Sequence, residues 1–322
     1  MSDHKATNEI FTMVETLLFK SIQEVNAIHL GRLNPKWILT FTDGTKLFVK
    51  QYHPDRYIGK IPAVKQALSI QDQLFHKGIQ CPKVHSVNRE YILHTKSNHQ
   101  FSMFEVCPGI LVLPGKPNQN QMYSWGKELG KMHHLLDKVP AGPIDWIPSK
   151  EEIQSFWELQ MKIAEDYPVS YRVQKMLEKE QELLELYDQT FFDQCKHGWA
   201  HWDNQVYNVL FQRDAISSIL DFDRMRYVYP ELDVARAILS GCIDNETKLD
   251  EEKARAFITG YQETIKEFQL NDVIRSFKLL WCRESVWWIK ADIEQDEEIP
   301  QRFSKEIEWL QNNWSYLEDI LC

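Results

Sequence analysis

The sequence predicts an α+β protein of two lobes, a small antiparallel β lobe over residues 1–107 and a mostly helical lobe over residues 108–322. Up to about Cys107, short β-type runs alternate with turn residues; beyond it, apolar residues recur at three- and four-residue spacing. Pro108-Gly109 and the stretch Pro114–Pro117 break regular structure between the two regimes. With 43% hydrophobic and 26% charged residues over 322 positions, the chain can bury about two domain cores, and a disordered chain is excluded.

The elements follow in order. Ile10, Met13, Leu17, Leu18 and Ile22 lie at helical spacing, so the opening helix is expected to run to about Gln23. Strands are expected at Ala27–Leu30, Trp37–Phe41 and Lys46–Lys50, with a hairpin turn at Thr42-Asp-Gly-Thr45. A helix from Ile61 to His76 stops at Lys77-Gly78, with Pro82 just beyond. Lys83–Val87, Glu90–Leu93 and Phe101–Val106 complete the sheet. Helices are then expected at Asn120–Leu136, Ser149–Asp166, Val169–Gln189, Asp233–Cys242, Glu251–Phe268 and Asp272–Glu294, with a last one from about Gln301. One hairpin interrupts them, Val206–Phe211 against Ile216–Leu220 around Arg213-Asp214.

Charge and cysteine usage narrow the function classes. Lys and Arg number 37 against 47 Asp and Glu, a formal net charge of -10. A nucleic-acid partner needs a basic surface and is not expected; a cationic small molecule is compatible with this balance. The 6 cysteines have no CxxC or metal-ligand spacing, and the N-terminal residues lack the basic start and apolar core of a signal peptide. No uninterrupted apolar run is long enough for a spanning helix. A cytoplasmic protein with reduced thiols and no membrane partner is the expectation.

The chemistry concentrates in His201-Trp-Asp-Asn-Gln-Val-Tyr-Asn208 and Leu220-Asp-Phe-Asp223. An aspartate at 203, an asparagine at 208 and an aspartate at 221, joined by β-type runs, have the layout of a phosphoryl-transfer site. Asp203 would receive the proton of an acceptor hydroxyl; Asn208 and Asp221 offer the oxygen ligands that Mg²⁺ prefers. Each taken singly reads better as a loop cap or an Asx turn, and it is the joint spacing with the predicted topology that favours chemistry. His201 with His197 is not a zinc pair, because the segment is not helical and lacks a third ligand. His201 instead reads as a structural residue that fixes the loop. Asp223 is either a third carboxylate on the metal side or a brace.

Lys50, at the end of Leu47-Phe-Val-Lys50, would reach the phosphates of a nucleotide, or else be a surface lysine on a strand edge. Gly31-Arg-Leu-Asn-Pro-Lys36 would cover those phosphates but holds a single glycine. The strand Met103-Phe-Glu-Val106 (Met103, Glu105 and Val106 above all) would present its backbone to the nucleotide base, or simply be buried. Trp287, followed by Asp292 and Glu294, suits a cationic acceptor through aromatic and carboxylate contacts; helix packing beside a solvated acidic loop is the alternative.

These motifs resemble the aminoglycoside phosphotransferase and choline kinase superfamily, whose fold is protein-kinase-like. Its His-Gly-Asp-x4-Asn and Ile-Asp-Phe/Trp-x motifs are matched by His201–Asn208 and Leu220–Asp223, and its Asp-Pro-x-x-Asp-Leu-Ala by Tyr229-Pro-Glu-Leu-Asp-Val-Ala235. Leu129-Gly-Lys-Met-His133 is similar to its Leu-Gly-x-Leu-His helix, and Gly260-Tyr261 to its late Gly-Tyr. The resemblance implies an ATP- and Mg²⁺-dependent kinase acting on the hydroxyl of a small, amine-bearing molecule such as an aminoglycoside, a choline-like alcohol or a homoserine-like amino alcohol. It also implies that Asp233 braces the catalytic loop. Trp202 stands in place of the usual glycine, and Gln205 where many members have histidine. The helix Ile61–His76 has no glutamate to pair with Lys50, so Gln66 or Gln71 is the expected substitute. The lone-glycine loop and the missing glutamate resemble the branch with spore-coat-associated kinase-like proteins, and imply as the alternative a pseudokinase with a structural role.

Overall fold

The computed structural model describes residues 2–29, 34–144, 146, 149–185, 193–284 and 298–321. They form two compact units, residues 1–109 with 217–225 and residues 110–216 with 226–322.

In the first unit, α1 (Ser2–Leu18) is followed by β1 (Ile22–Ala27), β2 (Lys36–Phe41), β3 (Lys46–Tyr52), α2 (Ile61–His76), β4 (Val84–His85), β5 (Leu93–His94) and β6 (Gln100–Glu105). The strands form one antiparallel sheet in the order β1-β2-β3-β6-β4, with β5 also on β6. Alternation along β3 sends Leu47 and Val49 to one face, in a core with Ile10 and Val14 of α1, and Phe48 and Tyr52 to the other, with Val64 and Leu68 of α2. Lys50 therefore lies on the α2 face, and the register sets Lys36 directly opposite it on β2.

The opening helix stops earlier than its periodicity suggests. Phe19 takes a left-handed φ of 54°, and the Ile22 N–H donates to the Glu15 carboxylate at 2.7 Å, turning Ile22 and Gln23 into β1. The first strand thus precedes the expected Ala27–Leu30. At the next turn Gly44, at φ 81°, donates to Phe41 O, and Asp43 accepts from the Thr45 N–H, which closes the anticipated hairpin.

The second unit contains α3 (Gln119–Leu136), α4 (Lys150–Asp166), α5 (Tyr171–Glu185), β7 (Gly198–Ala200), β8 (Val209–Phe211), the start of β9 (Ile216–Ile219), β10 (Arg226–Val228), α6 (Glu231–Cys242), α7 (Glu251–Gln262), α8 (Leu270–Glu284), α9 (Glu298–Asn313) and α10 (Leu317–Leu321). All of α6 is buried, so it is the centre of this unit. β7 pairs with β10, and Gln212 N–H to Ala215 O at 2.8 Å closes the turn after β8. Helix α7 ends at Gln262, short of Phe268: the Gln262 amide donates to Phe268 O at 2.8 Å, and the Phe268 ring folds back onto Tyr261 at 4.8 Å.

Helices α3 and α7 meet backbone to backbone. A Cβ on Gly126 would lie 1.9 Å from Phe257 O, and one on Gly260 would lie 2.1 Å from Tyr123 O. Carbonyl groups inside helices cannot yield by that much, so Gly126→Ala is expected to cost about 3 kcal/mol or more, at the upper end of overpacking effects. A lowered urea midpoint measures it; an unchanged midpoint would contradict the packing described.

Candidate functional site

In the first unit, Lys50 projects from the middle of the sheet and is 4% exposed, which rules out a strand-edge surface lysine. Its Nζ lies 2.5 Å from Asp221 Oδ1 and 2.7 Å from Asp223 Oδ2. Gln66 and Gln71 are not its partners: Gln66 is exposed, and the buried Gln71 amide donates to Pro82 O at 2.7 Å. Asp223 occupies the role expected of a helix residue, and it also accepts from the Tyr57 hydroxyl at 2.9 Å. Tyr57 in turn accepts from Asn34 Nδ2 at 2.8 Å. Asp223 thus ties β3 and the turn at Pro54–Tyr57 to its own loop within this unit.

Electrostatics explain how these charges coexist. Burial works against ionised Asp221, but the charges of Lys50 and Lys36 outweigh it and hold its carboxyl well below the usual range. Burial and the charge of Asp221 push Asp223 upward, against Lys50. Burial also opposes the charge on Lys50, and the two carboxylates more than compensate. The Tyr57 hydroxyl, raised to about 12 by burial and by Asp223, stays a proton donor. Asp221 has φ 68° and ψ 53°, a left-handed conformation that costs a non-glycine residue of order 1–2 kcal/mol and that clusters at functional positions.

Met103 packs into the core on the α1 face, and the Glu105 N–H donates to Lys83 O at 3.0 Å. Glu105 is exposed and Val106 half-buried. Gly31, Arg32 and Leu33 of the phosphate-covering loop lie outside the described residues, as do Trp287, Asp292 and Glu294.

In the second unit, the loop after β7 is built around the carboxylate of Asp233, in the first turn of α6 and 1% exposed. It accepts the His201 N–H at 2.6 Å, the Trp202 N–H at 2.8 Å and His133 Nε2 at 3.1 Å. The Tyr261 hydroxyl meets His133 Nδ1 at 2.8 Å. Leu129–His133 and Gly260-Tyr261 are thereby tied to the loop His201–Asn208 through Asp233. Gly130 lets α3 approach the Tyr261 carbonyl, where a Cβ would lie 2.7 Å away, and His133 then bridges Tyr261 to Asp233. His201 is fully buried and holds the loop through its main chain.

Trp202 adopts φ 71°, the conformation in which glycine costs least. Its indole compensates by packing: the Arg226 guanidinium lies over it at 4.9 Å, and Trp146 meets it edge-on at 5.9 Å. The backbone that a glycine would adopt is thus kept with a tryptophan in place.

Asp203 follows, half-buried. Its carbonyl accepts from the Gln205 N–H at 2.9 Å and from Asn208 Nδ2 at 2.8 Å. With Nδ2 committed to that bond, Asn208 presents Oδ1, an oxygen of the kind a hard divalent cation takes. Within the first unit, Asp221 is kept ionised and is a hard oxygen donor of the same kind. Sequence reasoning missed Tyr57, and it named Asn34 and Lys36 only as part of a phosphate-covering loop, since the convergence of the three depends on strand register and on a short 3-10 turn at Pro54–Tyr57.

The model of the phosphotransferase enzyme family matches residues 24–267. Two curated relatives carry the name homoserine kinase. One from Rhodopseudomonas palustris strain BisA53 is 26% identical over 201 residues, covering 60% of this chain and 57% of its own length. The other, from strain BisB18, is 25% identical over 197 residues with the same coverage. The match thus spans little more than half of either relative. Among solved structures, an aminoglycoside phosphotransferase from Alicyclobacillus acidocaldarius superposes with TM-score 0.64 at 14% identity, covering 94% of this chain and 93% of that one. A choline kinase from Cryptosporidium parvum superposes with TM-score 0.59 at 16% identity, over 92% and 91%. These likenesses establish the two-lobed kinase-like fold, with a strand-rich N-terminal region and a helical C-terminal one. No described helix is long and apolar enough to cross a membrane.

Proposed function

We propose that this chain, which belongs to the phosphotransferase enzyme family, transfers the γ-phosphoryl group of ATP to a hydroxyl of a small, amine-bearing molecule with the help of Mg²⁺. The observation that carries the reading is the Asp233-braced loop. Two successive N–H groups are pinned by one buried carboxylate, and Asn208 closes on the Asp203 carbonyl, so the Asp203 side chain is held at a defined, half-exposed position. In this reading Asp203 orients the acceptor hydroxyl and receives its proton. Asn208 and Asp221 hold the cation, which supplies neutralisation of the phosphate charge. Lys50 binds the phosphates, and the main chain at Val106, just past the sheet, lies along the nucleotide base; Met103 and Glu105, expected to share that role, are instead paired within the sheet.

Residues 1–107 would then be the nucleotide-binding lobe and 108–322 the lobe that carries the catalytic loop and the acceptor site. The names of the two relatives support an amino alcohol such as homoserine, and the net charge of -10 is compatible with a cationic group on the acceptor. Trp287, Asp292 and Glu294 are the proposed contacts for that group.

Calorimetric titration with the non-hydrolysable analogue AMP-PNP tests the nucleotide half of the proposal. Binding is expected with Mg²⁺ and should weaken at least about tenfold with EDTA or in Asp221→Asn, the loss of about one charge-assisted ligand. Equal affinity with and without metal, or none at all, would replace the enzyme by the pseudokinase alternative.

A further inference from the structure

We infer that Gln205 and Arg302 form a positioning relay for Asp203, in which helix α9 fixes the orientation of the catalytic carboxylate. The inference rests on the reading of Asp203 as the group that orients the acceptor hydroxyl. Arg302, on α9, is 8% exposed, and its Nη2 donates to Gln205 Oε1. A guanidinium has donors only, so it selects one of the two orientations of the Gln205 amide. In that orientation Nε2 faces Asp203 Oδ1 at 3.4 Å. The glutamine is thereby a donor to Asp203 because the arginine is a donor to the glutamine.

The surroundings hold the guanidinium in this position. It lies over the Tyr207 ring at 5.0 Å and the Phe303 ring at 4.2 Å. Its Nε is 3.1 Å from Glu306 Oε1, and Arg236 Nη1 is 4.0 Å from Glu306 Oε2, so two buried guanidinium groups share one buried carboxylate. Burial pushes the Arg302 guanidinium below its ordinary value, the charge of Glu306 opposes that, and Asp203 adds a smaller opposing charge. Arg302 is a donor-only, permanently charged group, and a lysine would lack its planar fork. Gln205 and Tyr207 belong to the same loop as Asp203, so α9 grips that loop at two positions.

Two readouts test the relay. In a ¹⁵N-labelled protein, the Gln205 side-chain NH₂ signals are identified as those missing from Gln205→Met. Both Asp203→Asn and Arg302→Met are expected to shift them; signals unmoved by either substitution would overturn the relay without any assay of turnover. The second readout is a double-mutant cycle on ATP hydrolysis with water as acceptor, repeated with homoserine as the acceptor probe. Arg302→Met and Gln205→Met are each expected to lower kcat about tenfold and leave the KM for ATP unchanged, and the double variant to be no worse than the poorer single one. Multiplying effects would mean independent structural roles and overturn the inference.

Should Arg302→Met fail to fold, Gln205→Met still decides, since Gln205 is only half-buried and full turnover in that variant overturns the relay. Asp203→Asn separates the two levels. If it turns over normally, the reading of Asp203 falls and the relay with it. If it is inactive while Gln205→Met is fully active, the relay alone falls.

Discussion

Asp203→Asn is expected to lower turnover at least about 10²-fold while leaving nucleotide affinity within a few fold, the scale of a lost general base. The two halves of this expectation come from different places in the chain. The side chain of Asp203 is half-exposed, and its carbonyl is secured by Gln205 and Asn208, so the substitution removes a charge without releasing the loop. The nucleotide contacts proposed for Lys50 and Asp221 belong to the first unit and do not involve this side chain. Steady-state kinetics with a parallel AMP-PNP titration measure both. A variant at wild-type rate would show that another group handles the acceptor proton.

The largest effect on stability is expected at Asp233. Replacing it with alanine removes the acceptor of His201 N–H, Trp202 N–H and His133 Nε2 at once, all in a site that is 1% exposed at Asp233 itself. An unsatisfied buried donor costs about 1–3 kcal/mol, so a total loss of about 4 kcal/mol is expected after partial relaxation. Trp202 amplifies it, because its left-handed backbone is held in part by the bond that is lost. For a unit of this size the melting temperature should fall by about 8–16 °C. A fall of under about 2 °C would mean that the loop is held by other contacts. Asp233→Asn should lie between, since one oxygen remains while the new amide group points donors at donors.

The catalytic loop was legible in the sequence because its residues are close together in the chain. His201 to Asn208 is the single loop between β7 and β8, ending in a 3-10 turn over Val206–Asn208, and Asp233 lies in the first turn of the helix that follows β10. The hairpin at Asp43-Gly44 and the helix Ile61–His76 were legible for similar reasons: a turn glycine, a proline in the first turn and a glycine stop are local signals. What escaped the sequence depends on distance. Lys50 and Asp223 are separated by 173 residues, and no spacing rule says that a missing helix glutamate is replaced from the far end of the chain.

Arg302 is equally silent, being one cation on an amphipathic helix until Gln205, 97 residues earlier, meets it. Phe19 ends α1 in a left-handed conformation that no glycine or asparagine announces, so the periodicity ran on to Gln23. Trp202 shows the opposite case. It departs from the usual glycine of the motif, yet Arg226 and Trp146 pack its ring and it keeps the left-handed backbone that glycine adopts most cheaply.

The central claim is that a carboxylate at 203 and oxygen ligands at 208 and 221 serve phosphoryl transfer to a small-molecule hydroxyl. The direct measurement is ³¹P NMR of ATP incubated with the protein and a panel of homoserine, choline and aminoglycosides, with Mg²⁺ or with EDTA. The account predicts a phosphomonoester signal that depends on one class of acceptor, requires Mg²⁺ and disappears in Asp203→Asn. ATP left intact with every acceptor in the presence of Mg²⁺, or a phosphomonoester formed equally well by Asp203→Asn, would contradict it.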